Sequence, residues 1–238
     1  MRDEILTLKE LIDATDNIVF FGGAGVSTES GIPDFRSTTG LYHQEWRYPP
    51  EVILSHTFYE ANPEEFFRFY HAKMLCPDAH PNAAHRKLAE WEAQGKLRAI
   101  VTQNIDGLHQ MAGSRAVYEL HGSVHRNYCE KCGKFHGFDF ILNTPGVPRC
   151  SCGGTVKPDV VLYEEGLDQK TIEGAVRAIS QADVLIIGGT SLNVYPAAGL
   201  INYYRGNKLV LINKSPVARD LSADLVIRRP IGEVFSQL

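Results

Sequence analysis

A doubly wound α/β fold is predicted by three features of the sequence. Short, continuous apolar runs recur at Ile18-Val19-Phe20-Phe21, Leu97-Arg98-Ala99-Ile100-Val101, Val184-Leu185-Ile186-Ile187, Leu209-Val210-Leu211-Ile212 and Leu225-Val226-Ile227. Runs this unbroken suit strands buried on both faces of a parallel sheet. Helical patterns lie between them, and strand-helix alternation places helices on both faces of such a sheet. A glycine-rich turn directly follows the first run, where a doubly wound sheet binds its ligands, beyond the carboxyl ends of its strands.

The elements follow in order. Ile5, Leu8, Leu11 and Ile12 share one helical face, so the chain opens with an amphipathic helix ending near Asp16-Asn17. The first strand follows, and its glycine turn is expected to lead into a helix whose amides and positive dipole end face a phosphate. Residues 37–81 are rich in aromatics, contain Pro49-Pro50 and carry a helical pattern over 63–74. They read as a flexible loop leading into a helical insertion. Helices are predicted over 82–94, 168–181 and 196–204, and a short strand over 117–120. Residues 124–158 hold four of the five cysteines among many glycines and few apolar runs, so a metal is expected to hold that stretch together.

Composition narrows the function. With 238 residues, 44% hydrophobic and 22% charged, the chain resembles ordinary globular proteins. At about 150 residues per domain, this length fits one large domain with a smaller module. The balance of 24 basic against 28 acidic residues gives −4, which disfavours a nucleic-acid partner. Residues 184–204 carry no formal charge but contain Gly188, Gly189, Asn193, Pro196, Gly199 and Asn202, so they read as strand, turn and helix rather than a membrane span. The N-terminus lacks the apolar stretch of a secretory signal. Together with the reduced thiols implied by the cysteine pattern, this points to the cytoplasm.

Cys129-x2-Cys132, 17 residues, then Cys150-x-Cys152 supplies four thiolates in two close pairs, the arrangement of a tetrahedral structural zinc ribbon. The second pair is one residue shorter than the usual spacing. Four protein ligands leave no open position for water, so the zinc is expected to be structural, one ion per chain. Cys76 stands apart as an isolated thiol.

Gly22-Gly23-Ala24-Gly25-Val26-Ser27 meets the dinucleotide fingerprint only at Gly23 and Gly25, because its third glycine position is Thr28. A simple tight turn is an equal reading of those residues alone. Similarly, Asn104 and Asp106 after the second strand read as a turn or cap, and Gly189-Thr190-Ser191 as an ordinary strand-end turn.

The longer strings are more specific. Gly23-Ala24-Gly25-Val26-Ser27-Thr28-Glu29-Ser30-Gly31-Ile32-Pro33-Asp34-Phe35-Arg36 closely resembles the signature of the sirtuins, the NAD-dependent protein lysine deacylases. So do Thr102-Gln103-Asn104-Ile105-Asp106-Gly107-Leu108-His109, Leu120-His121-Gly122-Ser123, Gly189-Thr190-Ser191 and Asn213-Lys214, in the family's order and with the four-cysteine stretch between His121 and Gly188. The resemblance implies a Rossmann-type NAD-binding domain from residues 1–36, 82–123 and 159–238. It also implies a cofactor loop and helical insertion at 37–81 and a zinc-ribbon module at 124–158, together forming a smaller domain.

The same resemblance implies roles. His121 would be the general base, suited to neutral pH by an ordinary histidine pKa near 6.5, with Asn104 beside it in the catalytic group. Gly23, Ala24, Gly25, Thr28, Asp34, Phe35 and Arg36 would hold the cofactor on one side, Arg36 near its phosphates and Phe35 over the reacting ribose. Gln103 and Asn104 would contact the nicotinamide ribose, with Ile105 adjacent, while Asp106 and the Ile32 backbone hold the carboxamide. Gly189, Thr190 and Ser191 would bind phosphate and Asn213 the adenosine ribose, with Lys214 and Ile231 completing the cofactor contacts. Val161, Leu162 and Tyr163 would pair as an edge strand with an acyl-lysine peptide, and Glu164 and Glu165 beside them would favour basic flanking residues. Tyr70-x-x-Lys73 stands where sirtuins acting on succinyl groups carry Tyr-x-x-Arg, so an uncharged acyl group is expected.

The implied activity is transfer of an acetyl group from protein lysine to ADP-ribose, releasing nicotinamide. The alternatives are removal of longer uncharged acyl groups and mono-ADP-ribosylation of a protein.

Overall fold

Alternation along β1 (Ile18–Gly22) explains the layered core: Phe20 points to one face of the sheet, Val19 and Phe21 to the other, and all three are fully buried. The computed structural model describes residues 2–34, 40, 46–217 and 223–238. β1 pairs in parallel with β2 (Leu97–Thr102), which pairs with β3 (Val117–Glu119). A second, antiparallel sheet has β4 (Gly122–Cys129) flanked by β5 (Phe135–His136) and β6 (Val156–Val160). The large sheet then continues from the other edge of β1 through β7 (Val184–Gly188), β8 (Lys208–Ile212) and β9 (Leu225–Ile227), giving the order β3-β2-β1-β7-β8-β9, all parallel. The connection reverses direction between β1 and β7, so the topological switch point lies between their carboxyl ends.

Helices cover both faces. Beneath Phe20 pack α1 (Arg2–Asp13) through Leu8 and Ile12, and, among later helices, Trp91 and Phe235. The helical insertion supplies α2 (Pro50–Ile53), α3 (His56–Ala61) and α4 (Pro63–Lys73); α5 (Ala83–Ala93) carries Trp91 and leads into β2. Asn82 starts α5 with a capping box: its side chain accepts the Ala84 and His85 amides while His85 accepts the Asn82 amide. Short α6 (Leu108–Met111) follows β2, and α7 (Phe138–Leu142) lies in the cysteine stretch. On the opposite face, α8 (Gln169–Gln181), capped by Asp168, packs Ala175 and Ile179 against Val19, Phe21 and Ile187. The chain closes with α9 (Ile231–Phe235), which carries Phe235.

Two predicted helices differ in form. The segment at 197–203 is a 3-10 helix. After the glycine turn the chain makes two 3-10 turns, Ala24–Val26 and Thr28–Ser30, instead of an α-helix. Gly31 closes the second turn at φ 85° and Pro33 follows, so the backbone cannot propagate a ladder there. Among the described residues, therefore, the turn leads into 3-10 turns and not into an α-helical dipole. Residues 184–204 resolve into β7, a turn and that 3-10 helix, and among the described residues no helix is long and apolar enough to cross a membrane.

The helical insertion and the cysteine stretch share one apolar cluster. Ile53, Phe66, Phe67 and Tyr70 from the insertion pack with Val124, Ile141, Val156 and the Cys129 and Cys150 side chains. The cysteine stretch thus has apolar support that its own composition did not suggest. Pro158 sits in β6, an edge strand, where a missing amide costs nothing on the open side.

Phe20 is the best probe of the large core, since it touches Phe235 and His109 rings at 6.2 and 6.3 Å. Phe20→Ala is expected to cost about 3–5 kcal/mol, against at most about 0.5 kcal/mol for exposed Tyr128→Ala, both measured by denaturant unfolding. Equal effects would contradict the assigned core.

Candidate functional site

Strand ends at the switch point build one wall of a cavity of about 1600 Å³. The turn after β1 presents Ala24, Gly25, Thr28, Ile32 and Asp34, and the turn after β7 presents Gly189, Thr190 and Ser191. Gly23 lies one step back and donates its amide to Gly188 O at 3.3 Å, while the Gly25 amide donates to Gly189 O at 2.8 Å. A Cβ at Gly25 would lie 2.8 Å from Gly189 Cα, and Gly189 adopts φ 60°. Only glycine at both positions lets the two turns touch. Asn213 and Lys214 after β8, and Ile231 opening α9, extend the same wall; Asn213 donates to the Thr190 and Ser215 carbonyls. Phe35 and Arg36 lie outside the described residues.

Beyond β2, Gln103, Asn104, Ile105 and Asp106 line the cavity's centre. A buried network fixes them. The Ser27 hydroxyl donates to Asp106 Oδ2 at 2.6 Å and accepts from Asn104 Nδ2 at 3.0 Å. His85 Nδ1 accepts the Asn82 amide, so its proton sits on Nε2, 3.5 Å from Ser27 Oγ. The Leu108 amide holds the other Asp106 oxygen at 2.9 Å. His109 packs edge-on against His85, and burial lowers both histidine pKa values, keeping the pair neutral at pH 7.

His121 follows β3 and also faces the cavity. Its Nδ1 lies 3.0 Å from Gln103 O; a carbonyl can only accept, so Nδ1 carries the proton and Nε2 keeps its lone pair. Burial lowers its pKa below the ordinary value of 6.5, opposed by that hydrogen bond. The expectation of an unperturbed histidine is corrected accordingly: desolvation disfavours the imidazolium.

The small sheet and the insertion form the opposite wall. β6 ends at Val160, so Val161, Leu162 and Tyr163 are not a continuation of that strand. They run as a bridge between the modules: the Val161 amide donates to His121 O, the Tyr163 amide to Leu54 O, and the His56 amide to Tyr163 O. All three line the cavity. The acidic pair beside them is already engaged. Glu165 holds Lys157, His56 and the Leu162 amide, and Glu164, at φ 77°, accepts from the Thr57 amide and hydroxyl. Lys73 lines the cavity, whereas Tyr70 is fully buried among Phe66 and Phe67, its hydroxyl unpartnered among the described residues. Cys76 is half-buried at the cavity edge, its thiol pKa raised by burial and by Asp106.

The four cysteines converge. Their sulfur atoms lie within 4.8 Å of one another, with Cys129–Cys152 at 3.4 Å and Cys132–Cys150 at 3.8 Å. A tetrahedral zinc with bonds of about 2.3 Å spaces its sulfurs about 3.8 Å apart. The donor set therefore fits a closed metal site, shorter second pair included.

Ser27, Asn82, His85 and His125 belong to the site but were not singled out in the sequence. Ser27 lay inside the glycine string; Asn82 and His85 read locally only as the cap of α5, and His125 carries no local signal, because the partners that tie these three to the site are remote in the chain.

Residues 23–196 match the Sir2 family. The chain belongs to the Sir2 family. At 63% identity, a protein of Clostridium perfringens named NAD-dependent protein deacetylase is covered over 99% of its length by this whole chain. A Staphylococcus aureus protein of the same name is 43% identical, with 100% of this chain and 99% of that protein covered. Among solved structures, a Sir2 enzyme superposes with a TM-score of 0.89 at 39% identity, covering 100% of this chain and 96% of its own. A Sir2 bound to deacetylated p53 peptide and 3'-O-acetyl ADP ribose gives 0.88 at 36% identity, covering 98% and 96%. The Sir2 motifs line the cavity from both strand turns and from β2 and β3.

Proposed function

We propose that this Sir2-family chain is an NAD-dependent protein lysine deacetylase, transferring acetyl from lysine to ADP-ribose and releasing nicotinamide. The observation that carries this reading is His121 in its Nδ1–H tautomer, facing the same cavity as the glycine turns and the buried Asn104–Asp106 group. The cavity exceeds the roughly 300–1,000 Å³ of a typical small-ligand pocket, leaving space for a dinucleotide and an extended peptide.

NAD, when bound, supplies the ribose carbon to which the acyl oxygen is transferred. The protein's task is to position and to manage protons. Ala24, Gly25, Gly189, Thr190 and Ser191 would hold the phosphates, assisted by Thr28, Asp34, Phe35 and Arg36, and Asn213, Lys214 and Ile231 would hold the adenosine. Gln103, Asn104 and Ile105 would contact the nicotinamide ribose, while Asp106 and the Ile32 backbone would take the carboxamide. Ser27 keeps the Asp106 carboxylate aimed, and neutral His85 supports Ser27 without adding charge. His121 accepts a ribose hydroxyl proton at Nε2 while Nδ1–H stays on Gln103 O. Val161, Leu162 and Tyr163 line the side of the cavity where the acyl-lysine segment would lie, their amides held by His121 O, Glu165 and Leu54 O. Residues 1–36, 82–123 and 159–238 then act as the NAD-binding domain, with 37–81 and 124–158 as the smaller domain. The cysteine pattern, with thiols grouped as metal ligands and no disulfide framework, supports a cytoplasmic location.

Mass analysis of the products from NAD and an acetyl-lysine peptide tests the activity directly. Free nicotinamide, deacetylated peptide and acetyl-ADP-ribose are expected; an ADP-ribosylated peptide would mean the other chemistry.

His121→Ala is expected to lower turnover by roughly 100-fold or more, with NAD binding largely kept. Because the folded pKa of His121 is lowered, its neutral, proton-accepting form persists to lower pH. The wild-type rate should therefore be flat through pH 7 and fall only below 6.5. An acidic limb centred above 6.5 would oppose His121 as the base.

Zinc on Cys129, Cys132, Cys150 and Cys152 would hold the small sheet without touching the reaction. Metal analysis is expected to give about one zinc per chain, and Cys132→Ser to lose it and lower the melting temperature. A zinc-free chain with unchanged melting would remove that role.

The acyl preference follows from Tyr70, whose hydroxyl is buried away from solvent, leaving Lys73 alone to meet a distal carboxylate. An ammonium lacks the two-pronged grip of a guanidinium. On one peptide, kcat/KM is expected to be highest for acetyl or another uncharged acyl-lysine and at least about tenfold lower for succinyl-lysine, a difference of roughly 1.4 kcal/mol. Succinyl outrunning acetyl would refute this.

A further inference from the structure

β4 does not run straight. Ser123 pairs with Asp159 and Asn127 with Pro158, so residues 124–126 form a bulge with no opposing partners in β6. Bulges beside active sites re-aim side chains, and this one turns three consecutive residues toward the large domain. The Val124 amide donates to Ile105 O at 3.0 Å. The Arg126 guanidinium joins Glu119 of β3 to Asp159 of β6. Between them, His125 Nε2 lies 3.0 Å from the Asp106 carbonyl; since a carbonyl only accepts, Nε2 carries the proton and donates.

Three further contacts hold the ring. It packs on Phe138 of α7 with centroids 5.0 Å apart. Its backbone amide donates to Ser123 Oγ at 3.2 Å. It also fills the space beside Gly107, where any Cβ would lie 2.5 Å from His125 Cδ2. Gly107 adopts φ 71°, so the peptide between Asp106 and Gly107 enters a left-handed turn. The bond from His125 fixes the carbonyl of that peptide, and the same Asp106 residue presents its carboxylate to Ser27 Oγ and the Leu108 amide, so its main chain and its side chain are both anchored.

We propose that His125 is a positioning residue for the nicotinamide end of the site, holding Asp106 through its main-chain carbonyl from the small domain. The proposal rests on the reading of Asp106 as the carboxamide-binding residue. It implies that the cysteine module contributes to nicotinamide and NAD affinity as well as to stability, through the bulge that begins five residues before Cys129.

The test separates donor from ring. His125→Phe keeps a ring against Phe138 and Gly107 but removes the N–H; His125→Gln restores an N–H at the position of Nε2 but removes the ring. His125→Leu, smaller and also without a donor, replaces the phenylalanine variant if that one does not fold. One lost hydrogen bond predicts a rise of about threefold to tenfold in the nicotinamide inhibition constant and the KM for NAD. The KM for acetyl-peptide, the zinc content and the melting temperature should stay near wild type. His125→Gln is expected to return both affinities to within about twofold of wild type. A folded His125→Phe protein with unchanged nicotinamide inhibition overturns the proposal, as does a glutamine variant impaired to the same degree. Asp106→Asn distinguishes the two levels. If it weakens nicotinamide inhibition and His125→Phe does not, only the role of His125 falls; if Asp106→Asn has no effect, the reading of Asp106 falls and the proposal with it.

Discussion

Two glycine turns pressed against each other at the switch point of the parallel sheet are the contact on which the rest of the molecule depends. Because the Gly25 amide reaches Gly189 O at 2.8 Å, the carboxyl ends of β1 and β7 open onto one cavity instead of two separate clefts. Every other functional group is arranged around that junction. β2 delivers Gln103 to Asp106 on one flank and β8 delivers Asn213 on the other, both at the level set by the parallel register of β1 with its neighbours. A side chain at either glycine would separate the turns and displace both flanks together.

The second organising feature is the network of buried polar side chains behind the reacting groups. Asp106 is the anion in the buried network, and it is surrounded by donors: a serine hydroxyl and a backbone amide on its carboxylate, and an imidazole on its carbonyl. His85 and His109 are neutral because burial makes the imidazolium costly. The same physics makes His121 an acceptor: desolvation keeps it unprotonated, and the Gln103 carbonyl decides which nitrogen bears its single proton. A catalytic group of this kind is set by its surroundings as much as by its residue type.

The small domain is built differently. Its apolar cluster is shared between the helical insertion and the cysteine stretch, so neither segment has a complete core alone. The cysteine cluster and the shared core act on the same strand: β4 carries Cys129 at one end and the bulge at the other. The strand that carries Cys129 thus also carries His125, whose ring meets the Asp106 carbonyl.

Continuous apolar runs were enough to place five of the six parallel strands, since a run such as Val184-Leu185-Ile186-Ile187 is buried on both faces of the sheet. The paired cysteines, the glycine turns and the ordered sirtuin motifs were legible for a related reason: each is a local spacing demanded by local chemistry. Tertiary structure decided the remainder. Ser27 meets Asp106 across 79 positions and His85 across 58, and no periodicity reports such a partnership. Gly31 and Pro33 turned a predicted helix into two 3-10 turns. The bulge in β4 arises from pairing with a strand more than 30 residues away and leaves no mark in residues 124–126 themselves. Sequence pattern records which residues avoid water; the protonation state of His121, the orientation of Asp106 and the reach of His125 depend on which remote groups they meet, and only the folded chain brings those groups together.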